Sequence, residues 1–404
     1  MQQIDDIYPL IPDADLLNYA KLFRNELTAA LSNQQSSLPT ILNPVAKMKP
    51  NPGSGIAVSI GGTNGYVSLF RIGRDMDIKF INRKIFSLPP ITTAHDLFNL
   101  ITKNIMAVTD GFSKPLPVGI GLAYPLKPIL HADKFIDGEL LYMTKGRTIR
   151  GLVGQHVGKL YHQFLKKEYN LDTQVVVAND AICLLVGGNG VDVSGVVGTG
   201  LNFAYWDSRS SIAPLKLSEL HGFIRAEVAI NIESKNFNKI TGNKWAQIID
   251  KKSADPHYSL AEKEVSGAYL YQLFNEAKKT VFGKDFPNLS STDQLNDILI
   301  GAFKYPKSTS DDTKKSAKKL AEKIFRRSAQ IVAIELCGIL LKINKTEGVI
   351  PVVMDGNIFW KAKNYHSLVN LYINLILPKA IPSFARLFGS ARRGIAILAR
   401  EGIE

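Results

Sequence analysis

Two short stretches, 137 residues apart from Gly61 to Gly198, share one design: an apolar strand, a Gly-Thr corner and a second apolar strand. In the first, 56–60 runs into Gly61-Gly62-Thr63-Asn64 and the chain resumes over 65–70. In the second, 195–197 runs into Gly198-Thr199-Gly200 and resumes over 201–206. Each reads as a hairpin whose corner offers backbone N–H groups and a threonine hydroxyl, a donor set suited to an anion. One such corner is as readily an ordinary turn. Two at domain-scale spacing constrain the fold, because a duplicated α/β domain with two phosphate corners facing one cleft accounts for both.

A chain of 404 residues can hold a large core and two domains. Apolar periodicity predicts helices over 13–31, with Asp13 or Asp15 as cap, and over 95–108, 152–169, 181–186 and 391–400. Strands are expected over 56–60, 66–72, 78–86, 118–123, 174–178 and 348–354. A polar stretch, 32–54, ends in Asn51-Pro52-Gly53-Ser54-Gly55, a turn cluster of the kind found at a domain crossover.

The net charge of +13 suits a nucleic-acid partner or an enzyme for anionic substrates. The densest basic stretch, from Lys314 to Arg326 and Arg327, interleaves Leu320, Ile324 and Phe325 at helical spacing and reads as a solvated helix face. No recognised nucleic-acid motif accompanies it. Asp5 and Asp6 near the start do not fit a secretion signal. The apolar run 368–377 is broken by Asn370 and Asn374 and stopped by Pro378, too short for a membrane span. Cys183 and Cys337 sit in apolar contexts and read as reduced core residues, so a cytoplasmic location is expected. Lys159 follows Gly158 but precedes Leu160, so there is no Walker A loop; a full GxGxxG, HExxH, GxSxG and any cysteine cluster are also absent. A phosphate-handling enzyme of another design, with no metal held by a protein ligand set, is the expectation.

The order of the remaining motifs resembles the eukaryotic-type hexokinases of the actin-like ATPase superfamily. Ser37-Leu38-Pro39-Thr40 is similar to the family's "MLPT", Gly61-Gly62-Thr63-Asn64 to "DLGGTN", and Leu122-Ala123-Tyr124-Pro125 falls where "FSFP" stands. Thr144-Lys145-Gly146 matches "TKG", Asn179-Asp180 "NDT", and Gly198-Thr199-Gly200-Leu201-Asn202 "GTGTN". Asn231-Ile232-Glu233 resembles "INMEWG", and the run from Glu262 to Leu270 resembles "EKMISGMYL". Asp355-Gly356-Asn357 stands for "DGS", and Gly389-Ser390 with Gly394-Ile395-Ala396 for "GSGKGAA". Sugar kinases of the bacterial repressor-related family share the first motif, but usually carry a Cys-rich zinc loop that this chain lacks.

The resemblance implies an α/β fold of two actin-like ATPase (ribonuclease H-like) domains around a central cleft. The small domain would hold 54–155 plus 389–404, and the large one 1–53 plus 156–388. It implies phosphorylation of a hexose 6-hydroxyl, glucose first and mannose or fructose next, by ATP with Mg2+. Asp180 would be the general base and Lys145 would assist it; Thr144, Lys145, Asn179, Asn231, Glu233 and Glu262 would contact the sugar. Gly61, Gly62, Thr63, Asn64, Gly198 and Thr199 would form the phosphate corners, with Asp355, Gly356, Gly389 and Ser390 towards the adenosine. Taken alone, Asp180 reads more readily as a cap of the following helix, and Glu233 and Glu262 as surface salt-bridge partners; the surrounding motifs reverse that weighing.

The departures matter as much. Ser59 stands where the family has an Asp that helps hold Mg2+, largely through water; losing one such partner commonly costs about 10–100-fold. Tyr66 replaces an Arg, Ala123 the Ser of "SFP", Ser234 the Trp of "EWG", and Leu201 the second Thr of "GTGTN". Arg392 and Arg393 crowd a loop that is usually Gly- and Lys-based, where their charge could compensate near phosphate. The base and much of the sugar pocket are thus expected to survive with weakened phosphoryl transfer. The alternative is a weakly active or inactive hexokinase-like sugar-binding or regulatory protein. The sequence leaves the oligomeric state open.

Overall fold

The computed structural model describes residues 4–47, 51–61, 64–89, 93–110, 115–131, 135–143, 149–188, 190–220, 222–282, 286–386 and 389–400. Its strands are β1 (Ile41–Asn43), β2 (Gly53–Ile60), β3 (Asn64–Ile72), β4 (Ile78–Ser87), β5 (Val118–Leu122), β6 (Leu126–Leu130), β7 (Ile136–Leu140), β8 (Val175–Asn179), β9 (Val193–Val197), β10 (Leu201–Ser208), β11 (Glu227–Asn231), β12 (Gly348–Asp355) and β13 (Ala380–Ala385). They form a five-stranded sheet in the order β4-β3-β2-β5-β8, a six-stranded sheet in the order β1-β11-β10-β9-β12-β13, and a β6–β7 ribbon. The chain divides into two compact units, one of Met1–Thr40, Gly195–Phe203 and Ile232–Ala385, the other of Ile41–Ser194, Ala204–Asn231 and Arg386–Glu404.

In the second of these units, β2 and β3 form the expected hairpin, with Ile60 opposite Gly65 and Ser59 opposite Tyr66. β5 and β8 then continue the sheet in parallel. Side chains alternate across a strand, so Ile56, Val58, Val118, Ile120, Val175 and Val177 line one face. There they pack with Leu97, Phe98, Ile101 and Ile105 of the helix Ala94–Val108 and Tyr161 and Leu165 of the helix Val157–Tyr169. The first helix is capped by Thr93, whose hydroxyl accepts from Asp96 N at 3.1 Å. The opposite face is made for close approach. A Cβ at Gly119 would lie 2.6 Å from Ile395 O, and one at Gly394 would lie 1.8 Å from Cys183 O. The C-terminal helix Ser390–Arg400 is thereby seated on β5 and on the helix Asp180–Gly187.

The first unit is organised by the helix Asp311–Lys342, 32 residues long, which packs against the helices Asp13–Leu31 and Tyr365–Ile376. Leu16, Ala20, Phe23 and Leu27 form the buried stripe of the N-terminal helix. Gly338 lets Phe23 approach, since a Cβ there would be 2.7 Å from its ring. Among the described residues, no helix is long and apolar enough to cross a membrane.

Several expectations are corrected. Neither Asp13 nor Asp15 caps the first long helix; Pro12 holds the cap position and both acids lie in the first turn, where they favour the helix dipole. The helix expected from 152 starts at Val157, because Gly151 and Gly154 take φ of +79° and +73°. The Gly389–Gly394 segment is helical from Ser390 onward, not a loop. Arg327, counted with the solvated basic face, is buried: it pairs with Glu264 and donates to Thr241 O at 2.8 Å.

Candidate active site

The base candidate sits where an apolar strand hands over to a helix. β8 is buried throughout and ends at Asn179; Asp180 opens the helix Asp180–Gly187 and is half-buried. The cap belongs to Asn179, whose Oδ1 accepts from Ala181 N at 2.9 Å. Its Nδ2 donates to Tyr124 O at 3.1 Å, tying the strand end to the 122–125 motif. Asp180 Oδ1 also accepts from Ala181 N at 2.9 Å, which orients the carboxyl along the first turn. Behind it, burial and then the charge of Asp180 push the Cys183 thiol far above its ordinary pKa. The thiol stays protonated and inert.

The first corner is tight. Gly61 N donates to Asn64 O at 3.0 Å across it. Gly62 and Thr63 lie outside the described residues, as do Thr144, Lys145 and Gly146. Ser59, half-buried, precedes the corner, and Ala123 N donates to Ile60 O at 3.0 Å beside it. Tyr66 is buried, and its hydroxyl has no hydrogen-bond partner among the described residues. The Arg392 guanidinium carbon lies 3.7 Å from the centroid of the Tyr66 ring. A cation therefore stands over the side chain that replaces the family's arginine, brought there by the C-terminal helix.

The second corner is held from three sides within the other unit. Gly198 N donates to Gly200 O at 3.0 Å, and Gly198 O accepts from Gly267 N at 2.7 Å. Gly356, at φ +107°, packs so closely that a Cβ there would meet Val197 O at 2.1 Å. Only glycine fits. Glu262 Oε2 accepts from Leu201 N at 2.9 Å and so braces the same turn. Thr199 is left exposed at the tip. Tyr269, nearby in charge, is pushed up to about 12 by burial first and then by Asp255 and Glu262. Asp355 closes β12, its Oδ1 accepting from Gly356 N at 2.7 Å. The corner thus gathers Gly198, Thr199, Glu262, Asp355 and Gly356.

Glu233 takes a left-handed conformation, φ +55°, and is 3% exposed. Its Oε2 lies 3.0 Å from Lys235 Nζ. The salt-bridge reading of Glu233 is therefore realised, but the pair is buried. Asn231 is fully buried at the end of β11, opposite Ile41 of β1 and Ala204 of β10. Gly389, at φ +76°, accepts at its carbonyl from Arg393 N at 2.8 Å and opens the C-terminal helix, with Ser390 its first residue. Sequence reasoning missed Gly267 and Thr292, whose Oγ1 donates to Gly267 O at 2.7 Å. Gly267 was visible as the Ser-Gly of its motif; nothing signalled Thr292.

Two hexokinase family models match the chain, one over residues 9–189 and the other over 192–284 and 279–387. The hexokinase of Kluyveromyces lactis is 25% identical, over 92% of this chain and 86% of its own. Hexokinase-2 of Saccharomyces cerevisiae is 27% identical with the same coverage. The Schistosoma mansoni hexokinase solved with glucose superposes with a TM-score of 0.83 at 21% identity, covering 98% of this chain and 97% of that one. That likeness shows the two-domain actin-like ATPase fold. With family models matched along nearly its whole length, the chain belongs to the hexokinase family, as a divergent member.

Proposed function

We propose that this protein phosphorylates the 6-hydroxyl of a hexose, glucose first and mannose or fructose next, with ATP as donor and Asp180 as general base. The observation that supports this most is the division of labour at the β8 end. Asn179 makes the helix cap, so the Asp180 carboxyl is not needed for it. A positioned base for a weakly acidic hydroxyl is worth about 10²–10⁴ in rate. Thr144, Lys145, Asn179, Asn231, Glu233 and Glu262 would bind and orient the sugar, amide and carboxylate groups suiting hydroxyl recognition.

The nucleotide side also fits. Gly198 and Gly356 leave backbone where a side chain would stand, Thr199 is exposed, and the helix beginning at Ser390 points an N-terminus suited to anions. When bound, MgATP supplies the phosphoryl group and Mg2+ spreads its charge. Gly61 and Asn64 would line one phosphate side, Asp355, Gly356 and Gly389 the adenosine side, and Arg392 would add a cation where Tyr66 has removed one. Exclusion of water from the bound substrates would limit wasteful hydrolysis. Cytoplasmic residence accords with the two buried, free cysteines.

A coupled assay for hexose 6-phosphate with MgATP and each of the three sugars tests this reading, beside Asp180→Ala. Turnover of about 1–10³ per second, lost in the variant, is expected. No turnover with any of the three would replace it with the second reading, a sugar-binding or regulatory protein, which Ser59, Tyr66 and Ala123 favour.

A further inference from the structure

We propose that the β6–β7 ribbon and the first turn of the helix Val157–Tyr169 form a binding site for a transition-metal ion of the zinc class, with His131, Asp137 and His156 as ligands. One nitrogen or oxygen from each lies within 4.8 Å of the other two. The two half-buried imidazoles flank a carboxylate that is 1% exposed. His131 Nε2 stands 3.1 Å from Asp137 Oδ2, and the two rings are 5.9 Å apart between centroids. Two ligand atoms, each about 2.0–2.2 Å from one ion at tetrahedral or right angles, are themselves roughly 3 Å apart. The His131–Asp137 pair already has that spacing.

The lone pairs of Asp137 leave room for one ion. Oδ1 accepts from Gly138 N and from Gly158 N, both at 2.6 Å, and Oδ2 accepts from Lys159 N at 2.9 Å. The second lone pair of Oδ2 accepts from His131 Nε2, so an ion bound there takes the place of that shared proton. The three N–H groups are the outer partners that orient a ligating carboxylate. Gly158 is required for this approach, since a Cβ there would come 2.7 Å from Oδ1.

The backbone holds all three ligands in place. His131 N donates to Phe135 O at 3.0 Å, and Asp137 pairs with Ile129 in the ribbon register. His156 forms a β-bridge with Glu139, and Leu140 N donates to Gln155 O at 3.1 Å beside it. A plain structural role explains His131, which donates to a buried carboxylate. It does not explain His156. That residue occupies a helix N-cap, a position that favours Ser, Thr, Asp or Asn, and its side chain makes no capping bond. Metal binding gives it a purpose. Two imidazoles with one carboxylate select zinc-like ions over Mg2+, which prefers oxygen and water. The site therefore differs in chemistry from any Mg2+ carried by a nucleotide, and the proposal does not depend on the phosphotransfer reading.

The test uses the full chain, stripped with a chelator and titrated calorimetrically with Zn2+, then with Co2+ followed by absorbance. One equivalent is expected to bind, with a cobalt ligand-field band and a rise in unfolding temperature on zinc loading. His131→Ala and His156→Ala should each weaken binding by more than the roughly 10–100-fold cost of an outer-shell partner, and abolish the band. Both rings are half-buried, so these variants should fold, and circular dichroism checks that they do. His162→Ala is the control, because His162 pairs instead with Asp172 at 3.4 Å; it should bind as the parent does. Absence of a bound equivalent in the parent overturns the proposal. So does parental affinity in both His131→Ala and His156→Ala.

Discussion

At the residue scale, three neighbouring charges show how little a motif says about the job of each member. Glu262, Lys263 and Glu264 are consecutive in one short helix, Leu260–Val265. Glu262 braces the Gly198 corner, Lys263 is buried on Asp250 at 2.7 Å, and Glu264 is buried against Arg327. Only the first has a place in the proposed chemistry. At the same scale, Arg392 of the C-terminal helix stands over the ring of Tyr66, which occupies the position of the family's arginine, and we propose that it supplies a cation there. A cation over an aromatic ring is worth about 0.5–2 kcal/mol. Arg392→Ala should raise the KM for ATP by about tenfold, equivalent to roughly 1.4 kcal/mol, and leave hexose affinity unchanged. Initial rates across ATP concentrations check this, and an unchanged KM would remove Arg392 from the nucleotide side.

Glu335 carries a pH prediction. It is fully buried, and neither carboxyl oxygen has a hydrogen-bond partner among the described residues. Burial holds its pKa well above the usual carboxylate range, and the nearby Ser234 hydroxyl offsets this only in part. At neutral pH the folded protein therefore keeps a proton that the unfolded chain releases. Stability from this group is full below the unfolded carboxylate pKa and falls as pH rises above it. Glu335→Gln should raise stability at neutral pH by on the order of 1–3 kcal/mol and flatten its decline above about pH 5. Urea unfolding of both proteins at several pH values measures the difference.

At the scale of elements, the hairpin β2–β3, the strands β5, β8 and β12, and the helices Asp13–Leu31 and Ala94–Val108 were legible, because local period and turn chemistry specify them. β1, β6, β7, β11 and β13 were not. β1 is three residues long and pairs with β11, where Ile41 meets Asn231, so its strand character comes from a distant partner. β13 contains Pro382, which argues against a strand; it survives because β13 is an edge of its sheet. The site was legible in the same way: its corners and the Asn179-Asp180 step are local, whereas the Glu262–Leu201 brace and the Arg392–Tyr66 stack join distant segments. Gly394 shows the limit best. Its motif suggested a nucleotide loop, yet it serves helix packing on Cys183. Gly394→Ala should destabilise by about 1–3 kcal/mol or more, because the clash is with backbone and no rotamer relieves it. A lower urea midpoint at constant slope would show it.

For the whole molecule, the proposed function asks that a hexokinase-family fold work with Asp180 as its base although Ser59, Tyr66 and Leu201 depart from the family's motifs on the nucleotide side. The +13 charge needs no nucleic-acid partner in this view, and the end of its densest run, Arg327, serves the core. The most direct measurement takes kcat and the glucose dissociation constant side by side, for the parent and for Asp180→Asn. The account predicts a parent that turns over glucose with MgATP, and a variant whose kcat falls by about 10²–10⁴ while its glucose affinity changes less than about tenfold. Equal turnover in the two proteins, or a parent that binds glucose and never phosphorylates it, would contradict it.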